Sequence, residues 1–291
     1  MIHTPAHIDR IRQSAGKAIT SFDIDTQASE NSYETACLAV GGVFNLIDRV
    51  WKGPLHRGFA FVRPPGHHAS PDHIMGFCLF NNVALGASYL RERLGAKRVL
   101  IVDLDAHHGN GTQAAFYDRS DVLFISLHQF PGYPGTGSLG EIGSGAGTGF
   151  SINVPLGRGS GEKEYRQTLA QLVRPVAAAY KPQMILVSLG FDLYLHDRLG
   201  GMRITPDEYA HLTAMLLDIA AETSGGRIVF IMEGGYSLKG IRECGLRMLQ
   251  ELCGIHAAPK IPGGNDNNRS PFSTLAKVID IHKAYWPTLL G

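Results

Sequence analysis

"VLIVDLDAHHGNGT", residues 99–112, sets four consecutive aliphatic residues directly before two aspartates, two histidines and two glycines. An apolar run of strand length without alternation reads as a strand buried on both faces, the signature of a parallel sheet covered by helices. Comparable runs recur as FAFV (59–62), RVLIV (98–102), VLFISL (122–127), FSINV (150–154), MILVSL (184–189) and RIVFIM (227–232). Segments of helical period fall at 32–50, 81–94, 161–180, 206–223, 237–252 and 273–285. Thr205-Pro206-Asp207-Glu208 supplies the N-cap, first-turn proline and early acids of a helix start. This alternation predicts an α/β fold: a single domain over 1–291, built on a parallel sheet flanked by helices, without internal repeats.

Composition narrows the classes of partner. The chain has 291 residues, with 27 Lys+Arg against 26 Asp+Glu and a formal charge of +1. No bulk electrostatic footprint for nucleic acid is present. No apolar run approaches the roughly 18 residues of a membrane span, and MIHTPAHIDRIRQ lacks a signal-peptide pattern. Cys37, Cys78, Cys244 and Cys253 form no CxxC pair, so a reducing, cytoplasmic setting is expected. Thirteen histidines stand out, four of them in the adjacent pairs His67-His68 and His107-His108. His73, His196, His211 and His256 have no comparable context.

The stretch PGYPGTGSLGEIGSGAGTG (131–149) holds eight glycines, among them the G-x-G-x-x-G spacing at Gly135, Gly137 and Gly140. A dinucleotide loop must open a helix, and here more glycine follows. Because the βα alternation continues on both sides, a long ligand-shaping surface loop is a better reading than an interdomain linker.

In open parallel sheets the ligand crevice lies beyond the carboxyl ends of the strands. FAFV is followed by His67 and His68; RVLIV by Asp103, Asp105, His107, His108 and Asn110; VLFISL by HQFPGYPGTG; MILVSL by Asp192; RIVFIM by Glu233 and Tyr236. Any one of these has an innocent explanation as a helix cap, a turn residue or a solvated loop side chain. Five on one predicted edge point to one site.

Asp105 and His107, two apart in an extended segment, project to the same side and can both reach one ion. Asp192, from another strand end, is the natural third ligand. An Asp/His/Asp set leaves an open position, as in catalytic zinc, while Fe(II) and Mn(II) also fit the donors. The open position implies hydrolysis by metal-activated water. The paired histidines supply a base, Asp103 and Asn110 are suitable orienting partners for them, and Tyr236 after two glycines is the candidate oxyanion donor.

RPPGHHA, GFCLFNN, DLDAHHGNGT, HQFPGYPGTG, SLGFD and EGGY, in this order from about residue 33 to 240, resemble the zinc-dependent histone deacetylase family. That family includes acetylpolyamine amidohydrolases and bacterial deacetylase-like amidohydrolases. The resemblance implies the arginase/deacetylase-like fold, with Asp105, His107 and Asp192 as zinc ligands. His67 and His68 form the tandem acid/base pair, His68 being the main proton shuttle and His67 an electrostatic partner held by Asp103. Tyr236 binds the scissile carbonyl. Gly76, Phe77 and Tyr133 match the walls of the acyl-lysine tunnel and Leu199 its mouth. Structural potassium ions are implied at Asp103, Asp105, His107, Ser126 and Leu127, and at the backbone of Phe116, Arg119, Val122 and Phe150, steadying the ligand loop.

Three departures follow. Asn110 stands where some branches have aspartate, which resembles the class II side and implies a less elevated His68 pKa. Tyr133 replaces the commoner phenylalanine. Family members usually carry several tens of residues before the helix matching HTPAHIDRIRQ. The expectation is therefore either a start upstream of Met1 or a sheet lacking an edge strand, with a more open pocket.

The leading expectation is a metal-dependent amidohydrolase acting on acyl-lysine or another acylated amine. Acetylpolyamine deacetylation is the neighbouring alternative; the apolar Leu199 leans away from it, and an acid elsewhere on the rim would reverse that. A binuclear manganese ureohydrolase needs further bridging carboxylates. An inactive acyl-lysine-binding module would be expected to lack a ligand or the tyrosine, and all are present.

Overall fold

The structure, a computed structural model, describes residues 2–255 and 270–289; Met1 and His256 therefore lie outside it. A small antiparallel hairpin, β1 (Thr20–Ser21) and β2 (Gln27–Ala28), precedes the main sheet. The sheet comprises β3 (Arg57–Ala60), β4 (Val99–Leu104), β5 (Val122–Gln129), β6 (Ser151–Leu156), β7 (Met184–Leu189) and β8 (Ile228–Met232). All pairings are parallel, in the order β3-β8-β7-β4-β5-β6.

Every residue of β4 is buried. Leu100, Val102 and Leu104 pack into one core and Val99 and Ile101 into another, on opposite faces of the sheet. The period of two thus feeds two apolar layers, which is why the run carries no polar alternation. One layer receives α2 (Ser32–Trp51), α3 (Asn82–Glu92) and Phe116 of α4 (Asn110–Phe116). The other receives α5 (Glu162–Thr168), α6 (Arg174–Tyr180), α7 (Pro206–Thr223), α8 (Leu238–Leu252) and α9 (Ser273–His282). The N-terminal α1 (Pro5–Arg12) packs through Ile11 into a third, smaller cluster with Ala36, Ile74 and Leu79. Among the described residues no helix is long and apolar enough to cross a membrane.

Three sequence expectations are adjusted. FAFV is displaced: β3 ends at Ala60, because Val62 turns back to bond the Ala60 carbonyl and Pro64 has no N–H for a ladder. The helical segment 161–180 is interrupted by a π turn at Leu169–Val173, just before Pro175, which cannot donate to residue 171. The short α4, directly after the polar motif, has no counterpart among the expected helices. The α7 start is as read: Thr205 accepts from the Glu208 amide at 3.2 Å and Pro206 opens the first turn.

Sheet order also decides where a site can form. The chain runs β4, β5, β6 outward in one direction, then returns to place β7 on the other side of β4. The C-terminal ends of β4 and β7 therefore flank a topological switch point, where a crevice opens.

Candidate active site

Leu104 pairs with Leu189 at the ends of β4 and β7, so the two following turns meet across the switch point. There Asp105, His107 and Asp192 each bring one ligand atom within 4.8 Å of the others; among the described residues this is the one group of three or more such side chains. Asp105 and Asp192 are fully buried and His107 is 17% exposed, so the cluster opens to solvent only through the histidine. The local geometry differs from the extended segment expected. The strand stops at Leu104, and the Asp105 carboxylate accepts the His107 backbone N–H at 2.8 Å, so a side-chain-closed turn brings both residues inward.

Three observations fit this cluster to a divalent cation. His107 Nδ1 lies 3.0 Å from Asp105 Oδ1 and 3.1 Å from Asp192 Oδ2, yet among the described residues Asp192 Oδ2 takes no well-directed hydrogen bond. One ring N–H cannot serve both carboxylates. Burial, reinforced by the Asp105 charge, pushes Asp192 up to about 7. Although burial opposes its charge, the two carboxylates hold His107 up at about 11. Two buried carboxylates thus require positive charge between them, which a metal supplies in exchange for protons. Finally, a Cβ at Gly190 or Gly234 would collide with the Asp105 and Asp192 carboxylates, so glycine keeps that space free.

Beside the cluster the histidine pair is held in two different states. His67 Nδ1 lies 3.0 Å from Asp103 Oδ2, and His67 Nε2 lies 3.8 Å from Asp105 Oδ1. Burial works against its charge, but these carboxylates outweigh it and raise His67 to about 10. His68 Nδ1 meets only the neutral Asn110 Oδ1, at 2.7 Å. Burial, then the positive His67, holds His68 well below the ordinary histidine value. One imidazolium and one neutral imidazole therefore sit with ring centroids 4.1 Å apart.

A cavity of about 280 Å³ leads to these groups, lined by Asp25, His68, Gly76, Phe77, His107, Tyr133, Leu199 and Tyr236. Leu199 is 51% exposed and Phe77 39%, whereas His68 is 5% exposed, so the apolar residues form the mouth and the histidines the floor. Tyr133 stands nearly perpendicular to the His68 ring at 5.0 Å, and Phe77 meets Tyr236 at 67° and 6.0 Å. Gly76 and Phe77 both have positive φ, +59° and +63°. The β1–β2 hairpin braces this strained pair: Asp25 accepts the Gly76 N–H at 3.1 Å and Thr26 Oγ1 the Phe77 N–H at 2.9 Å. A Cβ at Gly76 would strike the His68 imidazole. Burial, then the Asp105 and Asp192 charges, pushes the Tyr236 phenol far above its ordinary range.

His108 turns away from the cluster, with Nδ1 to Thr136 at 2.8 Å and Nε2 to Gln113 at 3.2 Å. The positions implied for potassium divide. Ser126 and Leu127 lie in the C-terminal half of β5, and Ser126 pairs across with Asp103. Phe116, Arg119, Val122 and Phe150 gather at the opposite end of β5, away from the ligand loop, where Phe124 N–H donates to the Phe150 carbonyl at 2.9 Å.

Three residues given no role from the sequence are prominent here. Asp25 lines the cavity. Glu233, fully buried, accepts from Gly66 N–H at 2.6 Å, His67 N–H at 3.1 Å and Ser188 O–H at 2.8 Å, and so anchors the histidine segment. Asp197 takes the Tyr236 N–H at 2.7 Å, so the tyrosine that follows the two glycines is held at its own backbone. Glu233 had a strand-end signal; the two aspartates lie in polar loops without one.

A helix-covered parallel sheet with an acidic/histidine cluster at its switch point defines an arginase/deacetylase-type fold with a candidate metal centre. More narrowly, the chain belongs to the histone deacetylase domain family, whose model matches residues 1–252. It is 40% identical over 293 residues to histone deacetylase 15 of Arabidopsis thaliana, covering 99% of this chain and 52% of that protein. It is 39% identical over 264 residues to a histone deacetylase-like amidohydrolase of Pseudomonas aeruginosa, covering 90% of this chain and 69% of that protein. A crystal structure of the HDA15 HD domain is similar at a TM-score of 0.90 and 39% identity, covering 100% of this chain and 80% of that one. The chain thus spans about half the length of the Arabidopsis relative.

Proposed function

We propose that the chain removes acetyl or another short acyl group from acyl-lysine or a related acylated amine, with one divalent cation held by Asp105, His107 and Asp192. The donor set favours zinc, with Fe(II) second. The observation that carries this reading is the cavity floor, where the three-ligand cluster and two histidines of different charge state meet beneath aromatic walls.

When bound, such a cation supplies Lewis acidity to the acyl carbonyl and makes a neighbouring water a better proton donor. His68 Nδ1–H donates to Asn110, which leaves Nε2 as the free base that takes the proton of the attacking water. His67, kept protonated by Asp103 and Asp105, stabilises negative charge developing on the acyl group. The proton on His68 then passes to the amine nitrogen as the C–N bond breaks, leaving a carboxylic acid and an amine, which ionise to carboxylate and ammonium as the acid gives its remaining proton to the amine. Tyr236, protonated at any physiological pH, donates its O–H to the carbonyl oxygen, a contact worth roughly 10² to 10³ in rate. Phe77 and Tyr133 flank a methylene stem and exclude water. Potassium at both groups of positions named above and a reducing, cytoplasmic setting belong to the same proposal; all four cysteines are free.

The test is acetate release from an acetyl-lysine peptide by the Zn²⁺-supplemented chain, abolished by chelation. A folded, metal-replete protein inert on every acyl-amine refutes the reading. One observation favours acetylpolyamines as a second reading: Asp25 places a carboxylate in the cavity wall, suited to a distal ammonium. Under it, acetylputrescine outcompetes the peptide and Asp25→Asn raises KM for the diamine alone.

A further inference from the structure

Asp197 lies on the loop between β7 and α7, in neither the ligand cluster nor the cavity wall. Its Oδ2 accepts the backbone N–H groups of Tyr236 at 2.7 Å and Ser237 at 3.0 Å. Its Oδ1 accepts those of Leu199 at 2.9 Å and Gly200 at 3.2 Å. Among the described residues no cation pairs with it, so the carboxylate serves four backbone donors and no side chain.

Two segments remote in sequence, at Leu199–Gly200 and at Tyr236–Ser237, are thereby joined. Leu199 is the exposed mouth of the cavity, and Tyr236 is the carbonyl donor of the proposed reaction. The surrounding backbone leaves little slack. A Cβ at Gly200 would overlap the Asp192 carbonyl, so the rim loop rests directly on the turn that carries a ligand of the candidate metal centre. Gly235, at φ +134°, lies against Phe191, where a Cβ would come within 2.7 Å of the Phe191 Cβ. The tyrosine's own backbone is held from the Asp197 side by charge-assisted hydrogen bonds, which are shorter and stronger than neutral ones.

We infer that Asp197 is a positioning residue: its carboxylate clamps the Tyr236 turn to the Leu199 rim and so aims the tyrosine hydroxyl at the acyl carbonyl. The inference rests on the functional reading above, in which Tyr236 is that donor. Asparagine cannot replace the clamp. An amide offers one oxygen and one NH₂, so whichever way it turns, two of the four N–H groups face another donor.

The experiment is a double-mutant cycle on the metal-replete chain with an acetyl-lysine peptide, comparing wild type, Asp197→Asn, Tyr236→Phe and the double variant. Asp197→Asn is expected to lower kcat by about 10- to 100-fold, a substantial part of one oxyanion donor, with KM within about threefold. In the Tyr236→Phe background the same change is expected to cost less than about twofold, because the group it positions has gone. A kcat for Asp197→Asn within twofold of wild type, or a full, multiplicative loss in the double variant, overturns the inference. Hydrogen exchange on the wild type supplies an arm that needs no variant: the Tyr236 and Ser237 amides are expected to exchange slowly despite lying outside regular structure, and fast exchange there contradicts the clamp. If the wild type turns over no peptide, the functional reading fails and exchange alone judges the clamp.

Discussion

Replacing Asn110 by aspartate puts a carboxylate where a neutral amide oxygen now meets His68 Nδ1 at 2.7 Å. In the wild type, burial and then the His67 charge hold His68 below the ordinary value of 6.5, so it is a neutral base throughout the physiological range. A full negative charge about 4 Å from the imidazolium centre interacts by about 4 kcal/mol at an effective dielectric of about 20. Desolvation of the new carboxylate offsets part of that. The remainder, on the order of 1.4 to 4 kcal/mol, raises His68 by about one to three units. Because only the neutral form accepts the water's proton, the acidic limb of kcat/KM moves to higher pH by the same amount. Asn110→Asp should therefore lose activity at an acidic pH where the wild type retains it, and recover it as the pH rises. The assay is kcat/KM for an acetyl-lysine peptide between pH 5 and 9 at saturating metal, with melting temperature as a control for folding. A pH profile that superimposes on the wild type's removes His68 as the base or Asn110 as its partner.

Chelation should abolish turnover and readdition of Zn²⁺ restore it, with metal content near one per chain; a content near two revives a binuclear site. Gly76→Ala forces a Cβ into the His68 imidazole at φ +59°, so kcat should fall by about 10²-fold with little loss of metal; unchanged kcat means the ring is not confined there. Burial alone lowers His282 to about 4, and among the described residues its Nδ1 has no hydrogen-bond partner. A depressed folded pKa gives stability that is present above 6.5 and lost as pH falls through 4, about 2 kcal/mol of it between pH 7 and 5. Urea unfolding at the two pH values reads this, and His282→Phe, which cannot titrate, should flatten the dependence by that amount; an equal slope in the variant assigns the effect elsewhere.

The strands were legible because burial on both faces leaves no alternation in VLIV or MILVSL, and one physical cause acts on each segment by itself. The strand-end polar residues were legible for a related reason. In a parallel sheet all C-terminal ends share one edge, so Asp105, His107, Asp192 and Tyr236 could be assigned to one place without coordinates. Local geometry was less accessible. The turn closed by Asp105 on the His107 amide and the early end of β3 depend on single hydrogen bonds that composition does not report.

The sequence by itself therefore determined the fold class, the order of motifs and the residue types gathered at the sheet edge, since hydrophobic period and chain direction are local properties. The pairing of His67 with Asp103 and of His68 with Asn110 was implied by the family resemblance, and the tertiary structure supplies the contacts themselves, 3.0 and 2.7 Å, because they join segments remote in sequence; the contacts of Asp25 and Asp197 it decided unaided. It alone brought Asp25 into the cavity wall and Asp197 beneath Tyr236. Those contacts span 51 residues to Gly76 and 39 to Tyr236, and they join loops whose positions are set by packing rather than by any pattern within the loops themselves.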